Sequence, residues 1–411
     1  MEQNLLSARH ACHTHMRFPQ DLASRPPSEP GSATGFTRHS GGPAMITRKR
    51  FLGTTAAMTG SLLTLEGCSS GAVTEDHETA TRRIWRHAES PFRDPPRLRR
   101  ELVRYATLAP SSHNTQPWRF HIAEHAITIL PDLSRRCPVV DPDNHHLFVS
   151  LGCATENLIQ AALANGLEGE PQFDVATGAL RVALEPTLAV ASSMFQAIPD
   201  RQCTRTEFDG RPLSTQELGW LEQAGTGAGV RVLLQVEPAA REQTLEAILA
   251  ANSAQLGDAR FVEELKTWIR FERKEAVQKG DGLFSGCTGN PSVPRWLGSA
   301  LFGLLVTAKG ENDKIAKQVR SSAGFAVFVS EANDPVHWLE VGRCFERFTL
   351  LATAMGIRTS LLNQPVEVAA LRRPFATHLG LGQERPDLVV RFGRGPRMPS
   401  SLRRPLQDVL A

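Results

Sequence analysis

The sequence predicts a globular protein of mixed helix and strand in which one helical segment recurs. Three observations carry this reading: a composition suited to a buried core, a helix–turn–strand passage over 97–130, and two helix-like segments in register 190 residues apart. Of the 411 residues, 41% are hydrophobic and 22% charged, a folding composition rather than a disordered or membrane one. The length suits two or three domains. A formal net charge of +3 argues against a dedicated nucleic-acid binder, which needs a far more basic face. The seven cysteines include no Cys-x-x-Cys pair, so neither a zinc knuckle nor a thioredoxin-like motif is offered, and they read as small buried hydrophobes. His113 and the pair His145-His146 lack companions at metal-ligand spacing, and no metal site is expected.

Residues 1–44 crowd Pro, Ser, Gly and His without a helical or strand period and read as an extension outside any folded domain. From Met45 the pattern changes. Thr47-Arg48-Lys49-Arg50-Phe51-Leu52 precedes a short run of small, mildly apolar residues ending at Leu65-Glu66-Gly67-Cys68. This is the tripartite build of a secretory signal, too short to span a bilayer. It resembles a twin-arginine signal with Lys49 at the second arginine, and 65–68 resembles a lipoprotein cleavage box. Segment 45–74 is therefore expected to direct export, with the mature protein starting near 69–75 in the periplasm or on the envelope, lipid-anchored at Cys68 or simply cleaved there. If the signal does not operate, the protein stays in the cytoplasm.

In the passage 97–130, Leu98, Leu102, Val103, Ala106 and Ala109 recur at three- and four-residue steps, so a helix is expected up to Pro110. There follows Pro110-Ser111-Ser112-His113-Asn114-Thr115-Gln116-Pro117-Trp118, then the strand-like Ala126–Leu130. A turn dense in hydroxyls and amides, pinned by two prolines, can present several donors and acceptors to one planar polar ligand. The string resembles the Pro-Ser-Ser-x-Asn-x-Gln-Pro-Trp signature of the FMN-dependent nitroreductase-like superfamily. That resemblance implies an α+β sandwich in which two subunits share FMN sites, each built from a phosphate-binding element of one subunit and this loop of the other.

The recurring segments are 152–166 and 342–356, in which Gly152, Glu156, Ala162, Ala164 and Gly166 match Gly342, Glu346, Ala352, Ala354 and Gly356. Each ends in glycine followed by an aliphatic residue, suited to a helix stop and re-entry into a sheet. The family places a helix here, so the resemblance implies two tandem copies forming a pseudo-dimer: 75–190 and 191–411, the second with an inserted lid over about 250–310. Arg201-Gln202-Cys203-Thr204-Arg205 resembles the family's phosphate element, and arginines four apart either share a helical face or flank a turn. The second copy's counterpart of the signature loop reads Ala224-Gly225-Thr226-Gly227-Ala228-Gly229 and has lost its donors. The first copy's counterpart of the phosphate element, Arg82 to Arg86, carries Trp85 where a hydroxyl belongs. Only one pairing is complete, implying one FMN per chain and a functional monomer.

The resemblance is nearest to the Acg subfamily, and it implies as cofactor-binding residues Pro110, Ser111, Ser112, Asn114, Arg201, Thr204, Arg205, Leu362, Asn363 and Arg403. No side chain is required as an acid or base, since the flavin carries the chemistry. Two functions follow. In one, electrons pass from NAD(P)H or another donor through FMN to a small acceptor. In the other, FMN is stored or sequestered beneath the lid without turnover.

Overall fold

The computed structural model describes residues 75–89, 92 and 94–411; the expected signal and Cys68 lie outside them. In chain order the elements are α1 (His77–Ile84), α2 (Pro95–Thr107), β1 (Trp118–Ile122), β2 (Ala126–Pro131), α3 (His145–Ala164), β3 (Leu167–Asp174), β4 (Ala179–Pro186), α4 (Ser193–Ala197), α5 (Thr215–Gly225) and β5 (Val230–Gln235). After these come α6 (Pro238–Gly257), α7 (Ala259–Trp268), β6 (Ile269–Arg270), α8 (Arg273–Lys279), β7 (Leu283–Phe284), α9 (Arg295–Leu305) and α10 (Ala308–Arg320). The chain closes with β8 (Gly324–Ser330), α11 (Pro335–Ala354), β9 (Arg358–Leu361), α12 (Gln364–Glu367), α13 (Ala369–His378) and β10 (Arg385–Gly393).

Two four-stranded antiparallel sheets result, ordered β1-β2-β4-β3 and β5-β8-β10-β9. Matching the strands by rank within each set gives the same spatial order twice. In each set a helix of 20 residues, α3 or α11, joins the second strand to the third, and another helix, α2 or α5, leads into the first. Gly166 and Gly356 end the long helices with φ of +77° and +71°, as their place after each helix requires. The sets differ between their first two strands. Three residues join β1 to β2, whereas α6 to α10 are inserted between β5 and β8, so the insertion runs from 236 to 323 and is wider than the lid expected at 250–310.

Helices α3 and α11 cross at the two matched glycines. A Cβ on Gly152 would lie 2.0 Å from the Leu339 carbonyl oxygen and 3.0 Å from Gly342 Cα; one on Gly342 would lie 2.0 Å from the Val149 oxygen and 3.0 Å from Cys153 N. The two encounters are reciprocal, and only glycine permits the backbones to come so close. Around this crossing one core draws on both sets, including Trp118, Leu151, Phe328 and Phe348. Helix α3 is long and apolar enough by composition to cross a membrane, yet it lies mostly buried within this core. The chain also interlocks at its end: Phe120 N donates to Val409 O at 2.7 Å and Ala411 N to Phe120 O at 2.8 Å, laying the C-terminus beside β1.

Candidate functional site

The signature loop leaves α2 and enters β1 through a backbone that most residues avoid. His113, Asn114 and Gln116 have φ of +48°, +53° and +55°, local strain of the kind that gathers at binding sites. Ser111 Oγ accepts from Gln116 N at 3.0 Å and closes the loop. Opposite it, Arg201 to Arg205 form neither a helical face nor a simple turn: Cys203 bridges Thr359 and Thr204 N donates to Thr359 O at 2.8 Å, so the segment runs extended beside β9.

Between these elements lie two adjoining chambers. The larger, about 310 Å³, is walled by Pro110–His113, by Val149, Ser150 and Cys153 of α3, by Ser360–Gln364, and by the insertion through Phe261, Leu265, Lys314 and Ile315. The smaller, about 60 Å³, is lined by Arg201, Arg205, Arg403, Ser400, Ser401, Asn114, Cys203 and Trp85 among others. Arg205 lines both. A large body with apolar walls joined to a small, arginine-rich end suits a planar ligand carrying an anion.

Not every expected ligand is free to bind. Arg403 is buried and donates Nε to Thr107 O, Nη1 to Asn114 Oδ1 and Leu402 O, and Nη2 to Leu108 O and Ala109 O. All five of its donors are used, so it caps the end of α2 instead of contacting a ligand. Burial, with Arg201 adding to it, lowers its pKa to about 9. Asn114 is committed likewise: its amide donates to Gly282 O and Leu402 O while its oxygen accepts from Arg403. Thr204 is fully buried, donates to Gln202 Oε1 at 3.3 Å, and lines neither chamber. Arg201 is partly engaged, with Nη2 donating to Leu108 O and Nε 3.3 Å from Glu346 Oε1. Burial pushes Glu346 up to about 7 against the pull of Arg201. Pro110, Ser111, Ser112, Leu362 and Asn363 do line the large chamber, Asn363 also accepting from Val389 N.

Arg205 is different. Its carbonyl accepts from Gln318 Nε2 at 3.0 Å, but among the described residues its guanidinium has no carboxylate or carbonyl partner. It also acts on its neighbours. Burial alone would raise the Cys203 thiol, yet Arg205, with bonds from Leu361 and Ser360, brings the net shift downward. Burial lowers His113 to about 4, aided by Arg205, leaving a neutral imidazole in the large chamber.

The histidine pair at the start of α3 has a companion that the sequence reading did not count, Asp141 just upstream: Asp141, His145 and His146 place one potential ligand atom each within 4.8 Å of one another. The group already has internal partners. Asp141 accepts from the backbone N–H of His146 and Leu147, and His145 Nε2 lies 2.9 Å from Asp387 Oδ1. Burial pushes His145 well below its usual pKa and raises Asp387 to about 7.

The insertion is fastened to the signature loop. Gln116 Nε2 donates to Gly280 O at 2.8 Å, Gly282 N to Asn114 O at 3.0 Å, and Asp281 pairs with both Arg135 and Arg270. Sequence reasoning singled out neither Asp281, which falls inside the lid expected at 250–310, nor Lys314, which falls just beyond it.

No family model matches the chain. A Mycobacterium tuberculosis protein named as an NAD(P)H nitroreductase, Rv3131, is 24% identical over 329 residues, spanning 76% of this chain and 90% of its own length. A second from that organism, named as the NAD(P)H nitroreductase acg, is 23% identical over 322 residues, spanning 75% and 94%. Among solved structures, the FMN-dependent nitroreductase NfnB of Mycobacterium smegmatis with NADPH aligns at TM-score 0.35 and 14% identity over 53% of this chain and 96% of its own. The FMN-bound nitroreductase of Bacteroides fragilis aligns at 0.32 and 13% over 50% and 89%. On its sequence relatives, which align with three quarters of it, the chain is nitroreductase-like at the level of the superfamily.

Proposed function

We propose that the protein is an FMN-dependent oxidoreductase of nitroreductase type, with one flavin site per chain built from both halves of a tandem pseudo-dimer. The observation that carries it is the pair of unequal chambers meeting at the unpaired Arg205. When bound, FMN supplies the redox chemistry, taking hydride equivalents from a reduced nicotinamide and passing electrons to a small acceptor. The chain's own residues bind and shield. Arg205 faces the anionic end, Ser111 and Ser112 offer hydroxyls, and Val149, Phe345 and Leu388 give the large chamber an apolar wall that excludes water. The pseudo-dimer reading is supported by the shared strand order and the reciprocal glycines. It leaves the mature chain active as a monomer, and the sequence of 45–74 supports export of that chain.

The second reading, flavin storage, is favoured by the fastened insertion, whose Asp281 is held by two arginines. One experiment separates the two: protein reconstituted with FMN is treated with NADPH under argon and then with a quinone or nitroaromatic. Bleaching of the visible band and its return on adding the acceptor is the expected result; bound flavin that NADPH cannot bleach means storage, and no retained flavin refutes both. Arg205→Ala should weaken FMN binding roughly 10- to 100-fold, as loss of charge-assisted bonds does, whereas Arg82→Ala with Arg86→Ala, on exposed side chains, should not.

A further inference from the structure

Four long cationic side chains line the chambers: Arg201, Arg205, Arg403 and Lys314. Arg403 has no donor left, and Arg201 is partly neutralised by Glu346. A phosphate monoester carries about −1.5 to −2 charges at neutral pH, more than the single unpaired guanidinium of Arg205 balances. The insertion holds the remaining cation.

Helix α10 is docked on the phosphate-side segment. Gln318 Nε2 donates to the Arg205 carbonyl at 3.0 Å, and the Gln318 carbonyl accepts from Arg391 at 3.2 Å. Lys314 lies one turn before Gln318, so the two share a helical face, and both line the large chamber. Its ammonium is steadied by donating to Thr288 O at 2.9 Å, next in the chain to Cys287, which lines the small chamber. That uses one of three donors. Glu311, a turn earlier, lines the same chamber but makes no ion pair with Lys314 among the described residues.

We infer that Lys314 of the insertion is the second cation for the phosphate of the bound ligand, acting with Arg205 across the junction of the two chambers. The inference rests on the flavin reading and deepens it. The insertion is then part of the binding site as well as its cover.

The test compares FMN with riboflavin, which lacks the phosphate, by flavin fluorescence quenching in wild-type, Lys314→Gln and Lys314→Arg proteins. Wild type should prefer FMN; Lys314→Gln should cut that preference at least tenfold while leaving riboflavin affinity within about twofold, and Lys314→Arg should restore most of it. A preference unchanged in Lys314→Gln overturns the inference. So does an equal loss of both flavins, which would mean that Lys314 only holds the insertion in place. If wild type binds neither flavin, the flavin reading itself fails, an outcome distinct from these.

Discussion

At the crossing of α3 and α11 the same helical positions face opposite fates. On α3, Val149, Ser150 and Cys153 border the large chamber. Their counterparts 190 residues on are Leu339, Glu340 and Arg343, and there the space is occupied by charge. Arg343 Nη1 bonds Glu340 Oε2 at 2.8 Å, Arg347 Nη1 reaches Glu156 Oε2 at 3.2 Å, and Arg347 also donates to the carbonyls of Ala224 and Thr226. The short loop over 226–229 closes directly on this network: a Cβ on Gly227 would lie 2.3 Å from Glu340 Oε1 and 2.6 Å from Cys344 Sγ. One half keeps small side chains and a ten-residue polar loop; the other has a four-residue loop closed against Glu340, Cys344 and Arg347. Two helices that share one crossing thus differ in what they line: small residues beside a chamber on α3, a Glu and an Arg in a charged network on α11.

The contrast depends on the helix crossing, which is where the largest effect is expected. Gly152→Ala sets a methyl 2.0 Å from a backbone oxygen of the facing helix, and backbone cannot step aside as a flexible side chain would. A loss of about 3 kcal/mol or more is expected, at the upper end for overpacked cores. Gly342→Ala should match it, since its encounter is the mirror of the first. Denaturant unfolding of the two variants measures this, and a large difference between them would break the claimed equivalence.

Next in size is the conversion of the open half into the filled one. Ser150→Glu with Cys153→Arg places the Glu340/Arg343 pair at the chamber wall, and flavin affinity should fall at least a hundredfold while the protein still unfolds cooperatively. The reverse pair, Glu340→Ser with Arg343→Cys, should not raise the flavin count above one per chain, because residues 226–229 carry no ring of amides and hydroxyls. Flavin released by heat and quantified against protein decides both; a second flavin in the reverse variant would show that the loop's chemistry is dispensable.

Much of this contrast was legible in the sequence, and the remainder was hidden for a definite reason. The helix, polar turn and strand over 97–130 follow from neighbouring residues, and the match of 152–166 with 342–356 marks the two long helices that cross. What local sequence does not reveal is which polar groups are already spent. Arg403 looks like a phosphate ligand until the carbonyls of Thr107 to Ala109, nearly 300 positions earlier, are found to take its donors. Asn114 belongs to the signature yet holds the turn at Gly282. Lys314 reads as one more lysine on a charged helix until the fold puts it on the wall of the chamber that Arg205 also lines. His145 takes Asp387 as its partner from 242 positions away, which no local spacing reveals, whereas its other companion, Asp141, stands in the same short stretch of sequence.

The subtlest difference between the halves lies in the matched glutamates, both fully buried. Burial raises the pKa of Glu156, but Arg347 and Arg343 outweigh it and the net shift is downward. Glu346 has only Arg201 as its main counter-charge, and burial prevails, pushing it up to about 7 from an ordinary 4.5. An acid whose folded pKa lies above its unfolded one binds its proton more tightly when folded. Its contribution is therefore fully present below pH 4.5 and is lost as pH rises through 7, by on the order of 2–3 kcal/mol. Glu346→Gln cannot ionise. Relative to this variant, wild type should lose that amount of stability between pH 5 and 8, and Glu156→Gln should show no such trend over the same interval, since Glu156 stays ionised throughout. Urea unfolding at half-unit pH steps would resolve the two curves. A flat difference for Glu346→Gln would mean that Arg201 holds Glu346 charged as firmly as the arginine pair holds Glu156, and that Arg201 is then a neutralised partner with little left to offer a phosphate.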